Sequence, residues 1–201
     1  RIYQATDQAI GELMTTVGDD VIRVLYTADA TVVDSLENAR AVFLPEFMYR
    51  WNFPDKSALA YSDPASPPPD PSLDYRHHWK HEIWSLRTSI GDSELQSPQE
   101  QEANQDPLSW CPANWYAPLW TKMKAFALPT VADGFIRINV KGREACGIVD
   151  PEDYSAVCDQ LISDLHNLTN ARTGESLVRK VVRVRTSAME ELPHEPPVDL
   201  I

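Results

Sequence analysis

The sequence predicts an α/β fold, with helices packed on a mostly parallel sheet. Three segments carry the prediction. A helical pattern at residues 2–17 runs straight into a short apolar strand, Val21 to Tyr26. Residues 135–140 alternate as a strand does, and residues 151–169 repeat with the period of a helix. Helix, tight turn and buried strand in succession make an α/β unit, because each element has an apolar face that another layer must cover.

In the first segment Ala5, Ala9, Ile10, Leu13, Met14 and Val17 fall on one stripe, and Gly18 follows as a helix stop. The apolar run from Val21 to Tyr26 is too brief for a helix and suits a buried strand. Thr27-Ala28-Asp29-Ala30 then lies at the strand's carboxyl end, where open α/β sheets place their chemistry. Leu36 to Trp51 reads as a second helix, kinked or restarted at Pro45. Its buried side is Phe43, Leu44, Phe47, Met48 and Trp51.

Residues 52–73 are rich in Pro and Ser, and Ser66-Pro67-Pro68-Pro69-Asp70-Pro71 is polyproline-like, so this stretch is a surface loop. Tyr75 to Leu86 is a short helix carrying Trp79 and Trp84, and Gly91 to Asp106 is a polar loop with at most one helical turn. Trp110, Trp115, Tyr116 and Trp120 crowd together, and such large side chains predict a compact core plug.

In the strand at 135–140, Ile136, Ile138 and Val140 share one face while Phe135, Arg137 and Asn139 share the other. The helix at 151–169 starts from Asp150 as N-cap with Pro151 in first position. Its apolar stripe is Tyr154, Val157, Cys158, Leu161, Ile162, Leu165 and Leu168. Asn170 to Glu175 is a turn in which Gly174 takes a positive φ. Leu177 to Thr186 is a strand with Arg179, Arg183 and Arg185 on a solvated side and Val182 and Val184 opposite.

The 201 residues suffice for one domain, and 43% hydrophobic with 24% charged residues excludes disorder throughout. A net charge of −12 argues against a nucleic-acid partner, since phosphate backbones would be repelled. No apolar run reaches the roughly 20 residues of a membrane helix, so no membrane is called for. Cys111, Cys146 and Cys158 are odd in number and form no C-x-x-C pair. They fit a reducing compartment and a cytoplasmic location. The chain opens on Arg1, already in a helical pattern, and closes on the strand-like Val198-Asp199-Leu200-Ile201. It reads as a piece of a longer chain.

Chemistry-bearing residues are sparse. His77 and His81 stand one helical turn apart and could share a metal. Lys80 beside them opposes that, and a polar helix face is the plainer reading. Phosphate-cradling glycine motifs and the Gly-x-Ser-x-Gly elbow do not occur. Cys158 lies on an apolar stripe and reads as core. Asp29 is the best-placed carboxylate, with Asp34 a weaker second.

Three connected stretches then become informative. They are Met123-Lys124-Ala125-Phe126-Ala127-Leu128-Pro129, Asp133 through Glu144, and Gly147-Ile148-Val149-Asp150-Pro151-Glu152-Asp153-Tyr154. With Arg172-Thr173-Gly174, the opening Tyr3 to Gly11 and Leu44 to Arg50, they resemble the type I phosphodiesterase/nucleotide pyrophosphatase-like branch of the alkaline phosphatase superfamily, including its predicted phosphohydrolase/phosphomutase proteins. The resemblance spans nearly the whole chain and is strongest from Trp110 to Arg185.

The resemblance implies a three-layer α/β/α sandwich of alkaline phosphatase type, present in part. Residues 1–201 would belong to one such domain, with a Pro- and Trp-rich insertion at about 52–121. It implies a hydrolase of phosphate esters or nucleotides with two divalent metals, commonly zinc, and a Thr or Ser nucleophile. On that reading the nucleophile and most metal ligands lie outside this C-terminal-half fragment, which holds no catalytic residue and is inactive by itself. Where the family reads Ser/Thr-Asp-His-Gly, this chain has Thr27-Ala28-Asp29-Ala30, a degenerate motif that leaves Asp29 as metal-ligand candidate. Lys141 and Arg143 are candidate phosphate contacts, ranked behind a structural role that they share with Asn139. The rival expectation is a non-catalytic member that binds a partner or an anionic ligand, with the Pro-rich loop and His77–Glu82 as recognition surfaces.

Overall fold

Helix α1, Ile2–Thr16, forms where the apolar stripe predicts it. Thr15 and Thr16 both donate their hydroxyls to the Glu12 carbonyl at 2.8 Å, and Gln8 donates to the Glu12 carboxylate one turn on. The stripe is not covered: Leu13 is 66% exposed, Met14 43% and Val17 36%. The computed structural model describes residues 2–17, 21, 23, 35–59, 65, 84, 94–109, 111–130, 134–191 and 198–201. They fall in two compact units, Arg1–Val33 and Asp34–Ile201. Asp29, the strand expected at 21–26 beyond Val21 and Arg23, the polyproline run, Trp110 and the histidines at 77 and 81 lie outside the described residues.

In the second unit, α2 runs unbroken from Ser35 to Asn52 with Pro45 inside it. Its buried face follows the expected one at Met48, with Leu44, Phe47 and Trp51 partly buried against the core, and departs from it at Phe43. Val42, Met48 and Tyr49 are buried, whereas Phe43 is 41% exposed. Asn52 ends the helix and stitches it to the sheet. Its amide donates to the Met48 and Ala125 carbonyls, and its oxygen accepts from the Lys124 N–H at 2.6 Å. Helix α3, Pro98–Ala103, is closed by a reciprocal cap, in which Ser97 Oγ accepts from the Glu100 N–H and Glu100 accepts from the Ser97 N–H. Helix α4, Pro112–Trp115, and a 3₁₀ segment, Ala117–Lys122, follow. Trp115 and Tyr116 are almost wholly buried, so the described part of the aromatic plug is core. Tyr116 packs on Tyr49 at 5.8 Å and Trp115 receives Trp84 edge-on at 5.4 Å.

Strands β1, Ala125–Ala127, and β2, Ile136–Ile138, pair antiparallel with Phe126 opposite Arg137. The connection between them is too short for the crossover that parallel pairing needs. Ile136, Ile138 and Val140 are buried, as their alternation predicts. The closing run of the sequence continues the ladder. Leu200 bridges Ile136 on one side and Arg183 on the other, both antiparallel. Val182 and Ile201 exchange two backbone hydrogen bonds of 2.7 and 2.9 Å. Among the described residues the β1–β2 sheet and its bridges to Leu200 are antiparallel, the parallel pairings are isolated bridges at Val140–Val149 and Lys141–Glu144, and the architecture is a mix of helices with a small sheet.

Helix α5, Tyr154–His166, buries Tyr154, Cys158, Leu161 and Leu165. It starts later than expected. Asp153 is the N-cap, without a side-chain bond, and residues 151–153 form the turn before it. Gly174 has φ +74° in the turn that returns Glu175 to Asn170. Gly147 is required for another reason: a Cβ there would fall on the Val140 carbonyl.

Candidate functional site

The residues the sequence nominates for phosphate contact separate sharply. Lys141 leaves the end of β2 and holds both oxygens of Asp150 at 2.8 Å, with each side chain about half exposed. Arg143, two residues on, turns inward and is 11% exposed. Its Nη1 and Nη2 donate to the two oxygens of Asp199 at 2.8 and 2.7 Å. The remaining guanidinium donors reach the Ala188 and Ile138 carbonyls and Glu144. Burial disfavours the Arg143 cation, but Asp199 and then Glu144 outweigh it and hold its pKa above the ordinary arginine value.

Asp199 is fully buried. Besides Arg143 it accepts from the Ile138 N–H at 2.7 Å and from Tyr154 Oη at 2.9 Å, and Arg185 Nε stands 3.7 Å away. Burial and then the Asp199 charge push the Tyr154 phenol well above its ordinary pKa, so it remains a donor. Glu144 is held by Arg137 Nε at 2.8 Å as well as by Arg143.

The solvated arginine face expected at 179–185 is corrected here. Arg179 is exposed, but Arg183 is only partly so and Arg185 is 7% exposed. Arg185 donates to the Val198 and Glu190 carbonyls. Arg183 donates to the Ser155 carbonyl and pairs with Asp159. Val182, on the side expected to be apolar and covered, is 39% exposed. The run expected as a strand at 177–186 forms a single bridge at Arg183, and Arg185 is drawn inward toward the buried Asp199, which no local alternation states. Asn139 is buried and donates to the Trp120 and Met123 carbonyls, the structural role expected of it.

A second polar cluster was missed in the sequence. Glu46 on α2 is 8% exposed and accepts from Arg50, Tyr116 Oη and the N–H groups of Ala58 and Leu59. Tyr49 Oη and Lys56 both donate to Glu94, whose pKa those two bonds lower. Its one sequence signal is the Glu46/Arg50 spacing of four on a helix.

An open cleft of about 320 Å³ lies between the end of α2 and the start of α5. It is lined by Trp51, Lys124, Ile148, Val149 and, along α5, Asp153, Ala156, Val157 and Gln160. Trp51 is held in place by its Nε1–H, which donates to Asp164 at 2.8 Å. Lys124 is exposed and has no carboxylate partner among the described residues.

Cys111 and Cys158 are buried and Cys146 is exposed, all as thiols. Burial raises the pKa of the first two, which disfavours the nucleophilic thiolate. Among the described residues no three His, Cys, Asp or Glu side chains are gathered as a metal would need. The described residues thus do not supply the donor set of a two-metal centre. No described helix is long and apolar enough to cross a membrane.

Among the described residues, fold and site together define a mixed α/β protein with an internally neutralised arginine cluster and an open cleft walled on one side by Trp51. Comparison with models of protein families, with curated proteins and with solved structures gives no match.

Proposed function

We propose that this chain serves a non-catalytic binding role, taking a small anionic ligand with an apolar or aromatic body in the cleft beside Trp51. One observation carries the reading: a tethered indole and an ammonium without an internal carboxylate line the same opening. The indole offers a flat apolar wall and Lys124 offers a charge for a phosphate or carboxylate. Phosphate esters and nucleotides belong to this ligand class. Asp153 is the opposing charge on the lining, so Asp153→Asn strengthens anion binding. The cations nominated elsewhere as phosphate contacts, Lys141 and Arg143, are engaged by Asp150 and Asp199. Titration with phenyl phosphate, followed by tryptophan fluorescence, tests the proposal. Saturable quenching that Lys124→Ala weakens supports it, and no saturable response rejects it.

The rival reading rests on the resemblance of residues 123–154. It makes the chain part of a metal-dependent phosphodiesterase or phosphohydrolase of the cytoplasm. The described ladder would then belong to a three-layer α/β/α sandwich with a mostly parallel sheet, and Asp29 would be a ligand of one of two divalent metals. Stoichiometric zinc together with hydrolysis of a chromogenic phosphodiester would establish that reading over the binding role.

A further inference from the structure

We propose that Arg143, Arg185, Tyr154 and the Ile138 N–H form a carboxylate-binding slot, that Asp199 is its resident ligand, and that a small carboxylate from solution fills it when the Asp199 side chain is removed. The donor set is complete for one planar anion. The Arg143 fork meets the two oxygens at 2.8 and 2.7 Å, Tyr154 Oη serves Oδ1 at 2.9 Å and the Ile138 N–H serves Oδ2 at 2.7 Å. Arg185 adds a second positive charge at 3.7 Å. Parallel N–H donors on a rigid plane select a carboxylate over a spherical halide.

None of these donors comes from the run 198–201 that they hold. Ile138 belongs to β2, Arg143 to the turn after it, Tyr154 to α5 and Arg185 to the segment that pairs with the run's other edge. Arg143 is oriented independently of Asp199 by the Ile138 and Ala188 carbonyls and by Glu144. Glu144 does not compete for the slot, because Arg137 shares its carboxylate. The donors therefore stay aimed at one point, and removing the resident anion leaves buried positive charge without its counterion. The slot also keys the register of the closing strand. A slip of one residue would present Val198 or Leu200, both fully buried and apolar, to the arginines.

The test uses the full chain carrying Asp199→Ala, melted in sodium formate and in sodium chloride at equal ionic strength. In chloride the melting temperature falls by about 10 °C from the parent value. Formate restores about half of the loss, saturably, while the parent chain melts alike in both salts. Adding Arg143→Met to Asp199→Ala abolishes the restoration, and Asp199→Asn, which fills the slot with a neutral group, shows none. A variant that melts identically in the two salts, or that stays unfolded in both, overturns the proposal.

Discussion

Helices α1 and α5 carry the same kind of sequence signal and end in opposite environments. Each has an apolar stripe at helical spacing. On α5 the stripe is core: Cys158 and Leu161 are fully buried and Leu165 is 4% exposed. On α1 the same period leaves Leu13, Met14 and Val17 facing outward. Periodicity states which face of a helix is apolar. It does not state what covers that face.

The energetic consequence follows from burial. Leu161→Ala removes a side chain packed on all sides and destabilises the second unit by about 3 kcal/mol in urea unfolding followed by ellipticity. A loss below about 1 kcal/mol would show that the α5 stripe is as loosely covered as that of α1. Tyr154→Phe, at the start of α5, costs about 1–2 kcal/mol, because Asp199 loses a buried donor while the ring remains.

A smaller effect sharpens the contrast through α2, whose packing depends on polar groups as well as apolar ones. The Glu94 carboxyl is lowered from 4.5 by its bonds to Lys56 and Tyr49. Its folded pKa lies below its unfolded one, so its contribution is present above pH 4.5 and is lost as pH falls through the folded value. Glu94→Gln therefore flattens the acid limb of melting temperature against pH and leaves the curve above pH 6 parallel to the parent's. An unchanged acid limb would remove Glu94 from the account. Smallest of all, Leu13→Ala on α1 changes stability by less than about 0.5 kcal/mol, since little surface is withdrawn from water there.

The legible part of the fold was local. The helices at 2–17, 36–51 and 151–169, the strand at 135–140 and the turn at Gly174 follow from period, caps and turn chemistry, and all appear within a few residues of their predicted limits. The strand expected at 177–186 reduces to one bridge at Arg183, and the pairing between distant segments is not carried by local pattern. The antiparallel ladder joins Ile136 to Leu200 and Leu200 to Arg183, pairings that no local pattern encodes. Arg185 reads as a solvated cation, and the partner of Arg143 goes unnamed, because Asp199, their counterion, lies 14 and 56 positions away in sequence. The cleft was illegible for the same reason: Trp51, Lys124 and Val157 come from three elements that meet only when α2, β1 and α5 have packed.

The central claim is that the anion-binding cation of this unit is Lys124 in the cleft, not the cations nominated from sequence. Titration of phenyl phosphate into the parent chain, Lys124→Ala and Lys141→Ala, read by tryptophan fluorescence, decides it. The account predicts that Lys124→Ala weakens binding about tenfold, worth about 1.4 kcal/mol, while Lys141→Ala binds as the parent does. Binding that survives Lys124→Ala and is lost in Lys141→Ala would contradict it.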